Sequence, residues 1–228
     1  MRPLPRVHAV TDAAVLALDD LGVRAAAIAA AGPAVALHAR TRAAPDRAGA
    51  GEPAAGHPAV RALAAAAARF VTLARPAEAA VFVSGRADLA AAVGAQGVQL
   101  ASADLAPADA RRILPRGWIG RSVHSLAEAI AARDEGADFL LAGPVYETAS
   151  HPGRPAAGLA LIRECAALGL PVIAIGGITA ERAAEARDAG AFGVAAIRAL
   201  WLAPDPAAAT LDLLNPWLSF PPCPISIS

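Results

Sequence analysis

The sequence is poor in aromatic residues, in cysteine and in net charge, and each shortage excludes a class of protein. Phe, Trp and Tyr make up 4% of the 228 residues, so the core must be packed from Val, Ile, Leu and Ala. Two cysteines, Cys165 and Cys223, are too few for a disulfide framework and have no metal-ligand spacing. Lys plus Arg and Asp plus Glu both total 20. With a net charge of zero, we expect neither a nucleic-acid partner nor a membrane-surface partner.

Long hydrophobic runs are also missing from the sequence. A transmembrane helix takes about 18 or more consecutive apolar residues. The alanine-rich stretch 62–68 is much shorter and is flanked by Arg61 and Arg69. Residues 1–12 lack the apolar core of a signal peptide. Together with the sparse cysteines, which are typical of a reducing compartment, this predicts a cytoplasmic protein.

One pattern recurs along the chain: a helical stretch ends in glycine, and a short apolar run follows. The glycines are at 32, 94, 117, 136, 169 and 190, and the runs at 34–37, 97–100, 118–123, 138–142, 171–175 and 192–197. Two further runs, 7–10 and 81–83, bring the number of predicted strands to eight. Continuous apolar runs are typical of parallel strands covered on both faces. The pattern therefore predicts an α/β fold, a single (β/α)8 TIM barrel over residues 1–214, with an open doubly wound sheet as the alternative.

Helix starts and two irregular segments complete the outline. Asp12, Ser125 and Thr179 each stand where a predicted helix begins and can cap it. The segment 43–58, rich in Ala, Gly and Pro, is either a lid over the strand ends or a disordered insertion. Residues 215–228 are rich in proline and are predicted to form a disordered tail outside the barrel.

Two strand ends predict a phosphate site. Gly176-Gly177 ends the seventh predicted strand just before the helix start at Thr179, and Ile197-Arg198 ends the eighth. Glycines let backbone N–H groups approach an anion, and a helix N-terminus favours negative charge. The loops after strands seven and eight hold a phosphate in many barrels. The alternative is that Gly176-Gly177 forms only a tight turn.

A histidine is the candidate for chemistry. His124 follows the fifth predicted strand, beside Ser122, at the end of the barrel where active sites lie. A neutral imidazole there can take and return a proton near pH 7. His151 lies in the loop after the sixth strand, at the same end.

Charged residues follow the second and fourth strands. Arg40 and Arg42 alternate beyond His38 and could grip a phosphate or a carboxylate, although ordinary surface charge is the alternative. Asp104 is a lone carboxylate, which is a poor Mg²⁺ site unless substrate phosphates supply further ligands.

From about His8 to Leu200 the chain resembles the thiamine phosphate synthase/TenI superfamily. Several blocks in the same order carry the resemblance: His8-Ala-Val-Thr-Asp12, Arg86-Ala-Asp-Leu-Ala90, Gly97-Val-Gln-Leu100, Ile119-Gly-Arg-Ser-Val-His-Ser125, Gly143-Pro-Val-Tyr-Glu-Thr148 and Ala174-Ile-Gly-Gly-Ile-Thr179. The resemblance implies a TIM barrel that acts on a small phosphorylated thiazole. The substrate-binding residues it implies are His38, Arg40, Arg42, Ser122, Thr148, Gly176, Gly177, Ile197 and Arg198.

Departures from the synthase pattern point to the other branch of the superfamily. A synthase joins a pyrimidine diphosphate to a thiazole phosphate with Mg²⁺, and its pattern has Asn-Asp where this chain has Ser84-Gly85. It also has a lysine after strand six, where this chain reads Thr148-Ala-Ser-His151, and a glutamine in place of His38. These changes remove groups that would meet a diphosphate leaving group.

The block Gly-Arg-Ser-Val-His-Ser is similar to the TenI branch. This resemblance implies a thiazole tautomerase, an isomerase that aromatises a thiazole carboxylate phosphate by metal-independent proton transfer. His124 would then be the catalytic acid/base, and no cofactor would be needed.

Two alternatives stay open at this point. One is a thiamine phosphate synthase in which Asp104 holds Mg²⁺ with the help of substrate phosphates. The other is a non-catalytic protein that binds thiamine-pathway ligands for regulation. A homodimer is a further expectation, because the predicted helical exterior is rich in alanine and has few charges.

Overall fold

Eight parallel strands form a closed barrel in the computed structural model, which describes residues 3–41, 58–148 and 155–218. The strands are Val7–Val10 (β1), Val35–Ala39 (β2), Ala80–Ser84 (β3), Gly97–Leu100 (β4), Trp118–Val123 (β5), Phe139–Ala142 (β6), Val172–Ile175 (β7) and Gly193–Ala196 (β8). Each strand pairs with the next, and β8 pairs with β1. The predicted TIM barrel is confirmed, and the open-sheet alternative is wrong.

Helices follow the strands around the outside. They are Ala13–Leu16 (α1), Leu21–Ala29 (α2), Pro58–Ala74 (α3), Ala87–Val93 (α4), Pro107–Ile113 (α5), Leu126–Asp134 (α6), Gly158–Ala166 (α7), Ala180–Asp188 (α8), Arg198–Trp201 (α9) and Pro206–Leu218 (α10). Short 3-10 turns cover Gly32–Ala34 and Arg75–Ala77. Asp12, Ser125 and Thr179 cap α1, α6 and α8 through their side chains, as their positions in the sequence predict.

The glycines at the helix ends do not all act in the same way. Gly94 caps α4 with a φ of 71°, the left-handed conformation that ends a helix. Gly117 has no positive φ. A Cβ there would lie 2.4 Å from Cδ2 of Leu114, so Gly117 is needed for space and not for its backbone conformation. Gly117 therefore follows its helix without the left-handed conformation that Gly94 adopts.

Side chains alternate between the barrel interior and the helices, because successive residues of a strand point to opposite faces. A small apolar cluster that includes Ala36, Phe82, Phe139 and Ile173 fills the interior, and a larger cluster packs the outer face of the sheet against the helices. Leu141 belongs to the interior cluster and also lines the cavity at the strand ends. The interior cluster is therefore the floor of that cavity.

The first and last strands meet at a tight seam. Val7 lies opposite Val194, and Nη1 of Arg6 donates to the carbonyl of Phe192 at 2.6 Å. The Arg6 guanidinium also lies 3.7 Å from the centroid of the Phe192 ring. A Cβ on Gly193 would lie 2.2 Å from the Arg6 carbonyl oxygen. Closure of the ring therefore depends on a residue without a side chain at position 193.

The last helix extends beyond the predicted boundary between barrel and tail at residue 214. Helix α10 continues to Leu218, past the Asn215 at which the tail is predicted to begin, with Pro216 buried and Trp217 packed against the outer core. Residues 219–228 lie outside the described part, as do residues 43–57 of the predicted lid or insertion. Within the described ranges, no helix has the length and hydropathy to cross a bilayer.

Candidate active site

A cavity of about 670 Å³ opens at the carboxyl ends of the strands. Its volume lies within the range of small-molecule sites, about 300–1,000 Å³. Every predicted site residue that the structure describes lines it: His38, Arg40, Ser122, His124, Thr148, Gly176, Gly177, Ile197 and Arg198, together with Asp104. Arg42 and His151 lie outside the described residues. The predicted residues that the structure describes therefore lie together at one cavity, although they come from loops far apart in the chain.

The turn after β7 is one wall of this cavity, and it has no room for side chains. Gly176 has a φ of 102° and Gly177 a φ of 65°. A Cβ on Gly176 would lie 2.7 Å from Cα of Pro144, and one on Gly177 would lie 2.7 Å from the carbonyl oxygen of Glu147. The turn thus packs directly on the loop after β6, which is a steric reason for both glycines whether or not an anion binds.

Backbone amides give this wall its chemical character. The carbonyl groups of Ile175 and Gly176 accept hydrogen bonds from Val145 and Tyr146, at 2.8 Å and 3.1 Å. The amides of Gly176 and Gly177, by contrast, donate to no other described residue. Amides without acceptors beside the N-terminus of α8 form the kind of site that favours an anion. We call Gly176, Gly177, Ile197 and Arg198 the anion wall.

Arg182 supports the anion wall from behind. Its Nη1 donates to the carbonyl of Gly177 at 2.7 Å, and its guanidinium lies 4.4 Å from the centroid of the Tyr146 ring. The Tyr146 hydroxyl donates to Glu185 at 2.5 Å. Burial, and then the bond to Glu185, raises the pKa of Tyr146 to about 12. Arg182 therefore fixes the glycine turn and adds positive charge beside it.

The opposite wall is built from neutral side chains on four consecutive strands. His38, Ser84, Gln99 and Ser122 end or nearly end β2, β3, β4 and β5, and all four line the cavity. Ser84 lies opposite Gln99 in the strand register, and Nε2 of Gln99 donates to Oγ of Ser122 at 3.0 Å. We call these four residues the polar arc.

Three atoms of the polar arc are buried without a hydrogen-bond partner among the described residues: Nδ1 of His38, Oγ of Ser84 and Oε1 of Gln99. An unsatisfied buried polar atom costs about 1–3 kcal/mol. Buried polar atoms are normally satisfied by protein, water or a ligand. Because all three belong to residues that line one cavity, the polar arc is suited to a ligand that brings hydrogen-bonding groups of its own.

His38 rests on a second buried histidine. Nδ1 of His8, on β1, lies 2.7 Å from Nε2 of His38, and Nε2 of His8 lies 3.0 Å from the carbonyl oxygen of Pro5. The His38 ring stacks on Phe82, with 4.8 Å between centroids. Burial lowers the pKa of His8 to about 4 and holds the pKa of His38 well below its usual range. Both imidazoles are therefore neutral at pH 7.

His124 lies between the two walls. Its Nδ1 makes a short hydrogen bond with the carbonyl oxygen of Gly143, which can only accept, so Nδ1 carries a proton. Its backbone N–H donates to Glu128 at 2.8 Å, which anchors the start of α6. Nε2 has no described partner. The ring is thus oriented by the fold and has one nitrogen left for a ligand.

Asp104 is one of two carboxylates among the described residues that line the cavity, the other being Glu147. Its Oδ2 accepts a hydrogen bond from the amide of Ala101 at 2.6 Å. A Cβ on Gly85 would lie 3.3 Å from the same oxygen. No group of three or more His, Cys, Asp or Glu among the described residues could hold a metal by itself. Mg²⁺ is commonly held by one or two carboxylates plus substrate phosphates, so Asp104 fits such an ion together with a phosphorylated ligand.

Sequence reasoning missed Ser84, Gln99 and Arg182 as site residues and placed His8 only within a strand. The missed signal was polarity inside otherwise apolar strands. His8 and His38 stand in neighbouring strands that are apolar elsewhere, and Gln99 is the polar residue of Gly97–Leu100. Which face each points to follows from the register, and continuous apolar strands conceal it.

Comparison with known proteins gives the family. The family model described as thiamine monophosphate synthase matches residues 8–200. This confirms the predicted superfamily and the predicted extent of the resemblance, from about His8 to Leu200.

Curated relatives carry the same name. The chain is 46% identical over 147 residues to the thiamine-phosphate synthase of Thermus thermophilus, covering 64% of this chain and 71% of that protein. It is 46% identical over 142 residues to the thiamine-phosphate synthase of Mycolicibacterium gilvum, covering 61% of this chain and 60% of that protein. A solved structure of thiamine phosphate pyrophosphorylase from Pyrococcus furiosus has a TM-score of 0.71 and 31% identity, covering 92% of this chain and 94% of that one.

These relatives overturn one prediction from the sequence. The prediction of a thiazole tautomerase is wrong, since relatives at 46% identity are named thiamine-phosphate synthase. The prediction was motivated by His124 and by Ser84-Gly85, where a metal carboxylate is missing. Losing one carboxylate does not remove Mg²⁺ binding, because phosphate oxygens of a substrate can supply further ligands. A histidine at the mouth, such as His124, is also compatible with either reaction.

Proposed function

The chain belongs to the thiamine monophosphate synthase family, and from that premise we propose that it is an enzyme of thiamine biosynthesis that makes thiamine phosphate. It would join a hydroxymethylpyrimidine diphosphate to a thiazole phosphate and release diphosphate. The observation that carries the proposal is the 46% identity to proteins named thiamine-phosphate synthase. The two unlike walls of the cavity support it, because one wall suits a phosphate and the other an uncharged ring.

The anion wall would hold the thiazole phosphate. Amides of Gly176 and Gly177 face no acceptor in the described chain, and Arg182 and Arg198 bring positive charge to the same side. A phosphate held there fixes the thiazole ring at a distance from the reacting atoms, and such orientation lowers the barrier by several kcal/mol or more. Thr148 and Ile197 complete the lining of this side.

The polar arc would hold the pyrimidine, with its diphosphate directed towards Arg40 and Asp104. In the reaction, the C–O bond between the pyrimidine methylene carbon and the diphosphate breaks, and the bonding pair leaves with the diphosphate. The lone pair of the thiazole nitrogen then forms the new C–N bond. The chain's own part is to align that nitrogen with that carbon and to exclude water. Nε2 of His124 would orient a hydrogen-bonding group of the substrates between the walls.

Mg²⁺ belongs to the same proposal. When bound, the ion neutralises the charge of the leaving diphosphate. Asp104 would hold it together with substrate phosphate oxygens, since it lines the cavity on the side of Gly85 and Arg40.

An assay of the whole chain with both substrates and Mg²⁺ tests the proposal. We expect thiamine phosphate and diphosphate to appear in equal amounts and a chelator to stop the reaction. Asp104→Asn keeps the size of the side chain and removes its charge. It should raise the Mg²⁺ concentration needed for half-maximal rate. Product formation no faster than without enzyme would refute the proposal, and an unchanged Mg²⁺ requirement in Asp104→Asn would remove Asp104 from it.

A further inference from the structure

The two buried histidines form a chain of hydrogen bonds whose direction is determined at one end. The carbonyl oxygen of Pro5 can only accept, so Nε2 of His8, 3.0 Å away, must carry a proton. A neutral imidazole has one N–H, so Nδ1 of His8 is then an acceptor. Nε2 of His38, 2.7 Å from it, must therefore donate.

The same count determines the other nitrogen of His38. With its one proton on Nε2, neutral His38 has a bare lone pair on Nδ1. That nitrogen is buried without a partner and belongs to a residue lining the cavity. Nε2 points at His8, on the neighbouring strand within the barrel, and the two ring nitrogens point to different sides of the ring. Stacking on Phe82, with 3° between the ring planes, restrains rotation.

We propose that His8 is a positioning residue that fixes His38 as a hydrogen-bond acceptor, so that the polar arc selects a ring presenting an amino N–H to Nδ1 of His38. The ligand class is an aromatic nitrogen heterocycle with an exocyclic amine. That this ring is the aminopyrimidine rests on the proposed function, whereas the proton positions on His8 and His38 do not.

An acceptor here also works against other rings. A ring with a carbonyl in place of the amine would set its oxygen against Nδ1 of His38, because the hydrogen of such a ring is on the neighbouring ring nitrogen, and these two acceptors would have no donor between them. Sites that hydrogen-bond a specific group reject the analogue that cannot make the bond by large factors. The discrimination depends on the proton on Nε2 of His38. That proton bonds to His8 and does not contact the ligand.

Nitrogen NMR of the unmodified protein is the first test. In protein labelled with ¹⁵N-histidine, His38 should show a protonated Nε2 and an unprotonated Nδ1, and the Nδ1 resonance should move when an aminopyrimidine binds. A proton on Nδ1 of His38 in the free protein would overturn the proposal. This test needs no variant, so it stands even if substitutions at His8 prevent folding.

Binding of two uncharged pyrimidines is the second test. Calorimetry would compare 4-amino-5-hydroxymethyl-2-methylpyrimidine with the analogue that has an oxo group in place of the amine. The wild type should prefer the amine by about tenfold or more. Equal affinity, preference for the oxo ring, or binding of neither ring would overturn the proposal.

Variants at His8 connect the preference to the relay. His8→Leu removes the acceptor for His38 and should reduce the preference to a few-fold or less. His8→Asn keeps an acceptor oxygen near the place of Nδ1 and should retain the preference. Thr210→Val is the matched control, because it removes a buried hydrogen bond to Pro206 on α10, away from the cavity. A preference unchanged in His8→Leu, or lost equally in the control, would contradict the role of His8.

The outcomes separate this inference from the proposed function. If the amine preference and proton positions are as expected but no thiamine phosphate forms, the proposed function fails and the relay stands. If thiamine phosphate forms but the amine preference is missing, the relay fails and the proposed function stands.

Discussion

The two walls of the cavity recognise ligands by opposite means. The anion wall uses backbone amides that are exposed because Gly176 and Gly177 have no side chains and adopt positive φ. The polar arc uses side chains on rigid strands, three of them with a buried atom that has no partner. The backbone wall is fixed by sterics, and the side-chain wall is fixed by proton positions. We therefore expect added atoms to weaken ligand binding at the anion wall. At the polar arc, we expect changed protonation or polarity to weaken it.

The largest effect should come from a methyl group on the anion wall. Gly176→Ala places a Cβ 2.7 Å from Cα of Pro144 at a φ of 102°, so the turn must move. We expect the KM for the thiazole phosphate to rise by about 100-fold, which corresponds to about 2.7 kcal/mol. Steady-state kinetics with each substrate varied would show whether the loss is confined to the thiazole side.

Gly94→Ala is the control for that substitution. Gly94 also has a positive φ, 71°, but nothing lies within 4 Å of its Cβ position. It should cost about 1 kcal/mol of stability and leave both KM values unchanged. Equal kinetic effects of the two substitutions would mean that the Gly176 result reflects general destabilisation.

Acid should destabilise the folded protein through His8, the buried histidine on which His38 of the polar arc rests. Burial lowers the pKa of His8 to about 4, whereas an unfolded histidine titrates near its reference value of about 6.5. Between these values the unfolded state binds the proton and the folded state does not. Stability contributed by neutral His8 is thus present above pH 6.5 and is lost as the pH falls towards 4.

The expected slope is about 1.4 kcal/mol per pH unit for one such proton. Urea denaturation of the wild type and of His8→Leu at pH 7, 6 and 5 would measure it. The free energy of unfolding should fall more steeply for the wild type. Parallel pH dependences would show that His8 is not the group that resists protonation.

A smaller effect is expected from Ser84→Ala on the polar arc, which should change folding stability and ligand affinity in opposite directions. Ser84→Ala removes a buried hydroxyl that has no partner, so the free protein should gain up to about 1 kcal/mol. Affinity for the pyrimidine diphosphate should fall by several-fold if that hydroxyl meets the ligand. Thermal unfolding and calorimetry on the same preparation would test both signs. A loss of both stability and affinity would show that Ser84 has a structural partner.

The smallest expected effect is tighter use of Mg²⁺ when a carboxylate is added at Gly85, next to Asp104. Gly85→Asp would place a second carboxylate beside Asp104, because the Cβ position at residue 85 lies 3.3 Å from Oδ2 of Asp104. Asp tolerates a positive φ better than most residues, although some strain is expected at 77°. The Mg²⁺ concentration for half-maximal rate should fall a few-fold. Gly85→Asn, which lacks the charge, should not share this gain.

The barrel was predictable because its signal is local and repeated. Apolar runs bounded by glycine and by caps such as Asp12 and Ser125 mark each unit, and eight units close. The tight turn at Gly176-Gly177 was also predictable, since two glycines before a helix start are a local pattern, whereas anion binding there stays a prediction. Gly117 follows the same pattern in the sequence but has a different role, because the pattern shows neither its φ nor the close approach of the Leu114 side chain.

The polar arc was only half predictable. His38 and Ser122 were expected in the site, whereas Ser84, Gln99 and His8 were not. The positions of these three in apolar strands are informative only when the register shows which side faces the interior. The reaction could not be predicted from local sequence patterns, because phosphate oxygens of the substrate can replace the Mg²⁺ ligand that is absent at Gly85. The tautomerase prediction failed for that reason.

The seam between β1 and β8 has a consequence for the timing of assembly. Val7 pairs with Val194, so a chain emerging from the ribosome holds its first strand with one edge open until nearly the whole barrel has been made. His38 follows close behind the first strand and Ile197 close behind the last, and both line the cavity. A ligand that contacts both residues therefore binds segments made early and late in synthesis. Because it can bind only when the barrel is closed, it would stabilise the closed barrel relative to the open chain.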